Sequence, residues 1–178
     1  MGPIEQIFFT IGIMITLIGL ARGYIRELGS TLIILSALFL LTFFQSRILA
    51  ALKLVDGGQC TDTSCNGLYF LIFAGLFAVM VFAGYAGKTL YISGSPIDQP
   101  GKFLLDIAVG ALNGYLISGT IWYYLDRFDY PFRNLTGFQS PLTTEAQKML
   151  QYLPPNLFDN PVYWIVPVII LLILSVRG

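Results

Sequence analysis

An all-α bundle of membrane-spanning helices is the fold class this sequence predicts, and three observations predict it. Of 178 residues, 56% are hydrophobic and only 11% are charged, whereas a soluble domain carries about a quarter charged residues. The mean hydropathy is +0.73. The apolar residues fall into five blocks, four of them long enough to cross hydrocarbon. A core of this size could not hide so much apolar surface in water, so the solvent must be lipid.

The first block runs from Ile4 to Ala21, the second from Leu28 to Phe44, the third from Leu68 to Ala86 and the fourth from Ile107 to Leu125. Each reaches the roughly 17 residues that a helix needs, at the least, to cross about 30 Å of hydrocarbon. The first block sits where a secretory signal would. It lacks a basic leader, Glu5 is its only early charge, and its small-x-small cleavage pattern is weak, so it reads as a retained helix. The fifth block, Val162 to Val176, has 15 residues and reaches only about 22 Å. It either spans with help from flanking residues or dips in at the interface, with Tyr163 and Trp164 suited to the headgroup layer.

The connections at 53–67 and 87–102 are polar and punctuated by glycine and proline. The longest polar stretch, 126–161, contains "TTEAQKMLQYLPP". Thr144 with Gln147 has the spacing of a capping box, Ala146, Met149, Leu150 and Leu153 share one helical face, and Pro154–Pro155 stop the helix. That face either lies on the membrane surface or packs against the ends of the spans. The chain thus divides into a four-helix transmembrane part (1–126), a polar external segment with a short amphipathic helix (127–161) and an apolar C-terminal helix (162–178). No second domain and no internal repeat is visible.

Composition also narrows the chemistry. Ten basic and ten acidic residues leave no net charge, so there is no basic footprint for nucleic acid. The chain has no histidine, which removes imidazole from metal or haem ligation, proton shuttling and any Ser-His-Asp arrangement. No catalytic set, metal site or cofactor is expected, and an enzyme is the least supported class.

Orientation rests on two arguments. Arg22, Arg26, Lys88, Lys102 and Arg177 fall on one side, and Arg47, Lys53, Arg127, Arg133 and Lys148 on the other. The numbers balance, but the first group lies mainly in the shorter connections, which the positive-inside rule weighs more heavily. Cys60 and Cys65 are separated by four residues and can close a disulfide, which persists only on the oxidising side; two free thiols are the other reading. Both arguments put the Arg22/Arg26 turn in the cytoplasm and the cysteine loop outside.

The stretch "ARGYIRELGS" (21–30) sets Arg22, Arg26 and Glu27 between two apolar blocks. A charge at the bilayer centre costs at least about 2.5 kcal/mol, so the turn belongs at the surface, where arginine reaches phosphate. Arg22 and Arg26, four apart, point the same way on a helical turn, and Gly19, Gly23 and Gly29 let the backbone bend and neighbours approach. An anchored helical hairpin is one reading; a docking or gating cluster is the other.

Here the chain resembles a known family. An R-G-x-x-R-E turn after a first span, followed by a serine-bearing second span, is similar to the colicin V production protein family (CvpA-like) of small bacterial inner-membrane proteins. "GALNGYLISGTIWYYLD" (110–126) is similar to the glycine-rich fourth span of that family. The resemblance covers about residues 4–126; the tail from Tyr130 to Gly178 has no counterpart. Asn113 stands where the family has a basic residue, and Lys102 and Asp106 stand near its acidic–basic pair. The resemblance implies toxin production or export, envelope maintenance or transport, and carries over no catalytic residue.

"GLARG" (19–23) and "GALNG" (110–114) are G-x-x-x-G elements, which let helix backbones meet, within one chain or between copies. Asn113, inside the fourth span, must face protein and find a hydrogen bond there. Asp106 reads as the most deeply placed acid of the spans, either an interfacial anchor paired with Lys102, Arg22 or Arg26, or an ion-carrying carboxylate. Trp122, Tyr123 and Tyr124 read as an external aromatic belt.

These observations lead to a non-enzymatic, CvpA-like inner-membrane protein that acts through helix and protein contacts. A small transporter or channel using Asp106, Asn113 and Arg26 is the rival reading, and an accessory subunit of a larger membrane complex the third. The expected partners are the lipid bilayer and either further copies of the chain or a larger membrane complex.

Overall fold

Long apolar runs without internal proline propagate as helix until glycine or proline stops them, and the computed structural model follows that rule. It describes residues 3–55, 62–86, 100–131, 142–158 and 160–177. Four long helices come first: α1 (Pro3–Arg22), α2 (Tyr24–Val55), α3 (Asp62–Ala86) and α4 (Gly101–Arg127). A short α5 (Thr144–Leu150), two 3₁₀ turns (Pro154–Asn156 and Pro161–Trp164) and α6 (Ile165–Arg177) complete the chain. The described residues contain no strand.

All four long helices have the length and apolar composition to cross a membrane. Their outer faces carry large apolar side chains in the open, among them Leu17, Leu104, Val79 at 68% and Phe82 at 71% exposure. The inside holds Glu27, Ser30, Thr31, Asn113, Ser118 and Thr120, all buried. Grease outside with polar groups bonded within is stable when the surroundings are hydrocarbon. This is a membrane protein.

Helix α2 exceeds its expected bounds. The apolar block closes at Phe44, yet the helix runs through Gln45, Ser46 and Arg47 to Val55. The continuation "ILAALKLV" contains neither glycine nor proline, and Ile48, Leu49 and Leu52 pack against the main core. At 32 residues it is about 48 Å long, more than the bilayer core is thick. Helix α6, with 13 residues, reaches about 20 Å and packs on α2, with Val168 and Leu171 against the core.

The main core lies among α2, α3 and α4, with Ile34, Leu38, Phe73, Phe77 and Leu116 at its centre. Phe73, Tyr124 and Phe128 form an aromatic cluster within it, the Tyr124 and Phe128 ring centroids lying 5.2 and 5.6 Å from that of Phe73. Trp122 and Tyr124 are therefore not an interface belt, as the sequence suggested. Both are fully buried, because one face of α4 is turned inward. Trp164 is likewise buried rather than set in the headgroup layer, while Tyr163 is exposed.

Helix α1 docks mainly on α4, through small residues. A Cβ on Gly19 would lie 2.7 Å from the Gly110 Cα, and one on Gly110 would lie 2.9 Å from the Thr16 carbonyl oxygen. Gly12, which the sequence did not single out, faces Gly114 in the same seam. Thr16 and Ser118 donate back to the carbonyls of Gly12 and Gly114 at 2.8 and 2.7 Å, so the close approach leaves no hydroxyl unpaired. The G-x-x-x-G elements are used within the chain.

The short amphipathic helix closes one end of the bundle. Thr143, not Thr144, caps it: the Thr143 hydroxyl oxygen accepts the Ala146 N–H at 3.1 Å and its proton goes to the buried Glu5 carboxylate. Ala146 and Leu153 are buried in a cluster with Ile4, Trp122 and Tyr130, and Met149 and Leu150 pack against it. The apolar face therefore meets the span ends instead of lying on the membrane surface.

Candidate functional site: a polar clamp at the α1–α2 turn

The turn between α1 and α2 is a single residue. Gly23 has φ +83°, a conformation that a side chain disfavours. Its N–H bonds the Gly19 carbonyl at 2.9 Å and its own carbonyl accepts the Glu27 N–H at 3.2 Å. One glycine thus ends one helix and opens the next.

A helix start leaves backbone N–H groups without intrahelical partners. Tyr24, the first residue of α2, donates its N–H to the Asp106 carboxylate at 2.6 Å. Asp106, buried on the second turn of α4, acts as a capping residue supplied from another helix. The expected pairing with an arginine or Lys102 is replaced by this backbone bond.

The centre of the cluster is Glu27, not Asp106. Glu27 is completely buried, more so than Asp106. Its Oε1 stands 3.1 Å from Arg22 Nη1, a Coulombic contact rather than an aligned hydrogen bond. Its Oε2 accepts the Tyr85 hydroxyl at 2.9 Å and the Asn113 amide at 2.8 Å. The same amide donates to the Glu27 backbone carbonyl at 3.1 Å, and Asn113 Oδ1 accepts the Thr31 hydroxyl at 2.7 Å. The Arg22 guanidinium lies 4.5 Å over the Tyr85 ring, adding a cation–π attraction. A buried charge is tolerated when it is paired and its remaining lone pairs are satisfied. Here the charge is paired with Arg22 and Oε2 takes two hydrogen bonds, while Oε1 rests on the ion pair alone.

The clamp takes side chains from every long helix: Arg22 from α1, Glu27 and Thr31 from α2, Tyr85 from α3, and Asn113 from α4. Of the residues singled out from sequence, Arg22, Glu27 and Asn113 meet directly, and Asp106 caps the adjacent turn. Arg26 is not parallel to Arg22, since Gly23 breaks the helix between them. It is exposed, whereas Arg22 is 21% exposed and turned toward Glu27. Lys102 is exposed on α4 and lines one cavity with Arg22 and Arg26. Gly23 makes the turn; Gly19 and Gly110 make the seam beside it.

Sequence reasoning missed Tyr85, Thr31 and Tyr24. Tyr85 stands near the end of an apolar block, where it reads as an interface aromatic, and nothing local marks its partner 58 residues away. Cys65 is buried and disulfide-bonded; Cys60, the other half of the expected pair, lies outside the described residues. No protein-family model, no curated protein and no solved structure matches this chain.

Proposed function

We propose that this chain is a non-enzymatic bacterial inner-membrane protein of the CvpA-like kind, acting in toxin production or export or in envelope upkeep through contacts with other proteins. The reading is supported above all by what becomes of the R-G-x-x-R-E turn. Its Gly23 makes the bend, its Arg22 and Glu27 are consumed in a clamp that joins four helices, and its Arg26 is left exposed at the bundle end. A motif whose internal members brace a scaffold and whose last cation faces outward suits a docking protein. Asp106, Asn113 and Arg26 occupy three separate surroundings, which weakens the rival reading of one polar path.

In this reading the α1–α2 turn faces the cytoplasm and the Cys65 end of α3 faces the exterior. Tyr85 reaches Glu27 at the turn end. Cys65 lies 20 residues earlier in the same helix, about 30 Å away, and thus at the opposite membrane face.

The experiment is a pull-down of the tagged chain from native membranes in lipid nanodiscs, with mass spectrometry. Export or envelope proteins retained at fixed stoichiometry, and lost on Arg26→Glu, are the expected outcome. A chain that purifies alone and supports a solute flux in liposomes, abolished by Glu27→Gln, would make it a transporter instead. Thiol labelling from either side of intact cells, after reduction, checks the orientation.

A further inference from the structure

We infer that the basic cavity at the α1–α2 turn is a binding site for the phosphate group of an anionic phospholipid. This inference goes beyond the docking role and does not depend on it. Arg22 from α1, Arg26 from α2 and Lys102 from α4 line one cavity of about 320 Å³, with Gly23, Tyr24 and Ile25 completing its lining. That is the lower end of the range for ligand pockets.

The charge at this mouth is one-sided. Arg26 and Lys102 are exposed and have no ion-pair partner among the described residues. Among the described residues the two nearby acids are both engaged elsewhere: Glu27 is buried against Arg22, Tyr85 and Asn113, and Asp106 holds the Tyr24 N–H. An anion entering the cavity meets two uncommitted cations and the outer edge of a third. Arginine and lysine together suit a phosphate, the first by directional donors and the second as a point charge.

What lies beside the cavity points to a lipid as the source of the phosphate. Arg22 covers the Tyr85 ring, and Tyr85 closes one end of a separate apolar groove of about 340 Å³ between α1, α3 and α4. Ile18, Phe77, Val81, Phe82 and Ile117 line that groove. Arg22 thus stands at the border between a basic pocket at the helix ends and an apolar channel running into the bilayer. A molecule with an anionic head and a hydrocarbon tail matches both sides of that border; free phosphate matches only one.

The test uses the full chain purified in mild detergent and exposed to equal amounts of phosphatidylglycerol and phosphatidylcholine, with retained lipid read by native mass spectrometry. Wild type should retain phosphatidylglycerol preferentially, and Arg26→Gln/Lys102→Gln should lose about tenfold or more of that preference, as expected for two surface cations. Both positions are exposed, so the fold should survive the change, and Arg26→Lys/Lys102→Arg should keep the preference. Filling the groove with Ala78→Phe should lower retention of both lipids while the head-group preference stays. Equal retention of the two lipids by wild type would overturn the inference, as would a preference unchanged in the double Gln variant. Displacement of the lipid by millimolar inorganic phosphate would overturn it too, and would assign the cavity to a soluble anion.

Discussion

The Asp106 carboxylate accepts the Tyr24 amide at 2.6 Å, so an acid near the start of α4 closes the first turn of α2, 82 residues away in sequence. The bond fixes the angle at which the α1–α2 hairpin meets the rest of the bundle. It also explains why an acid can sit buried beside Gly23 with no ion-pair partner among the described residues.

Asp106→Ala should therefore lower stability by about 1–3 kcal/mol, the penalty for stranding a buried donor. Asp106→Asn keeps an acceptor oxygen and should lose less. Gly23→Ala should add a separate loss of about 1–2 kcal/mol, because its φ of +83° is left-handed. Chemical unfolding in detergent micelles, followed by circular dichroism, measures all three.

Glu27→Ala should be the most damaging single change at the clamp, by about 3–5 kcal/mol, since it leaves a largely buried guanidinium uncompensated. Tyr85→Phe removes one hydrogen bond and should cost about 1–2 kcal/mol. A double-mutant cycle on Glu27 and Asn113 should return a coupling of about 0.5–3 kcal/mol; a coupling near zero would mean that the two do not act together.

The small-residue seam makes a paired prediction. Gly110→Ala should destabilise by about 1–3 kcal/mol through overpacking, because the Thr16 carbonyl occupies the space a Cβ needs. Gly75, also inside a long helix, has nothing within 4 Å of a Cβ, and Gly75→Ala should be neutral or stabilising by up to about 1 kcal/mol. Unfolding midpoints of the two variants, measured side by side, decide it.

At the other end, Trp122 Nε1 donates to the Tyr130 hydroxyl at 3.2 Å, and that hydroxyl donates to Asp126 at 3.1 Å. Burial, more than any other influence, pushes the Tyr130 phenol above its ordinary value. The folded chain then holds this proton more tightly than the unfolded one. Its contribution to stability is complete below about pH 10, where a free tyrosine titrates, and is lost as the pH rises further. Tyr130→Phe should be less stable at pH 8 by about 1 kcal/mol and should fall less steeply above pH 10. Thermal unfolding in detergent from pH 8 to 11 tests both the offset and the slope.

Much of the fold was legible because the bilayer imposes a length and a composition on anything that crosses it. The four spans were readable as unbroken apolar blocks, and the helix ends missed by several residues at α2 are places where helix continues past the hydrocarbon. The charged turn was readable too, since Arg22, Arg26 and Glu27 stand out against their surroundings. Less legible was which way each side chain faces. Trp122 and Tyr124 looked like an interface belt, and Asp106 looked deeper than Glu27, because a linear sequence does not state which face of a helix is turned inward.

By itself, the sequence determined that the chain would meet lipid, how many long helices it would form, and that its few charges would gather near helix ends; all three follow from the free energy of placing groups in hydrocarbon. Tertiary structure alone decided that Glu27 joins Arg22, Tyr85 and Asn113, that α1 lies in the glycine seam of α4, and that Asp106 caps α2. The Tyr85, Asp106 and Asn113 contacts join residues 58, 82 and 86 apart in sequence, where the identity of a partner is fixed by how helix faces meet and not by any local spacing.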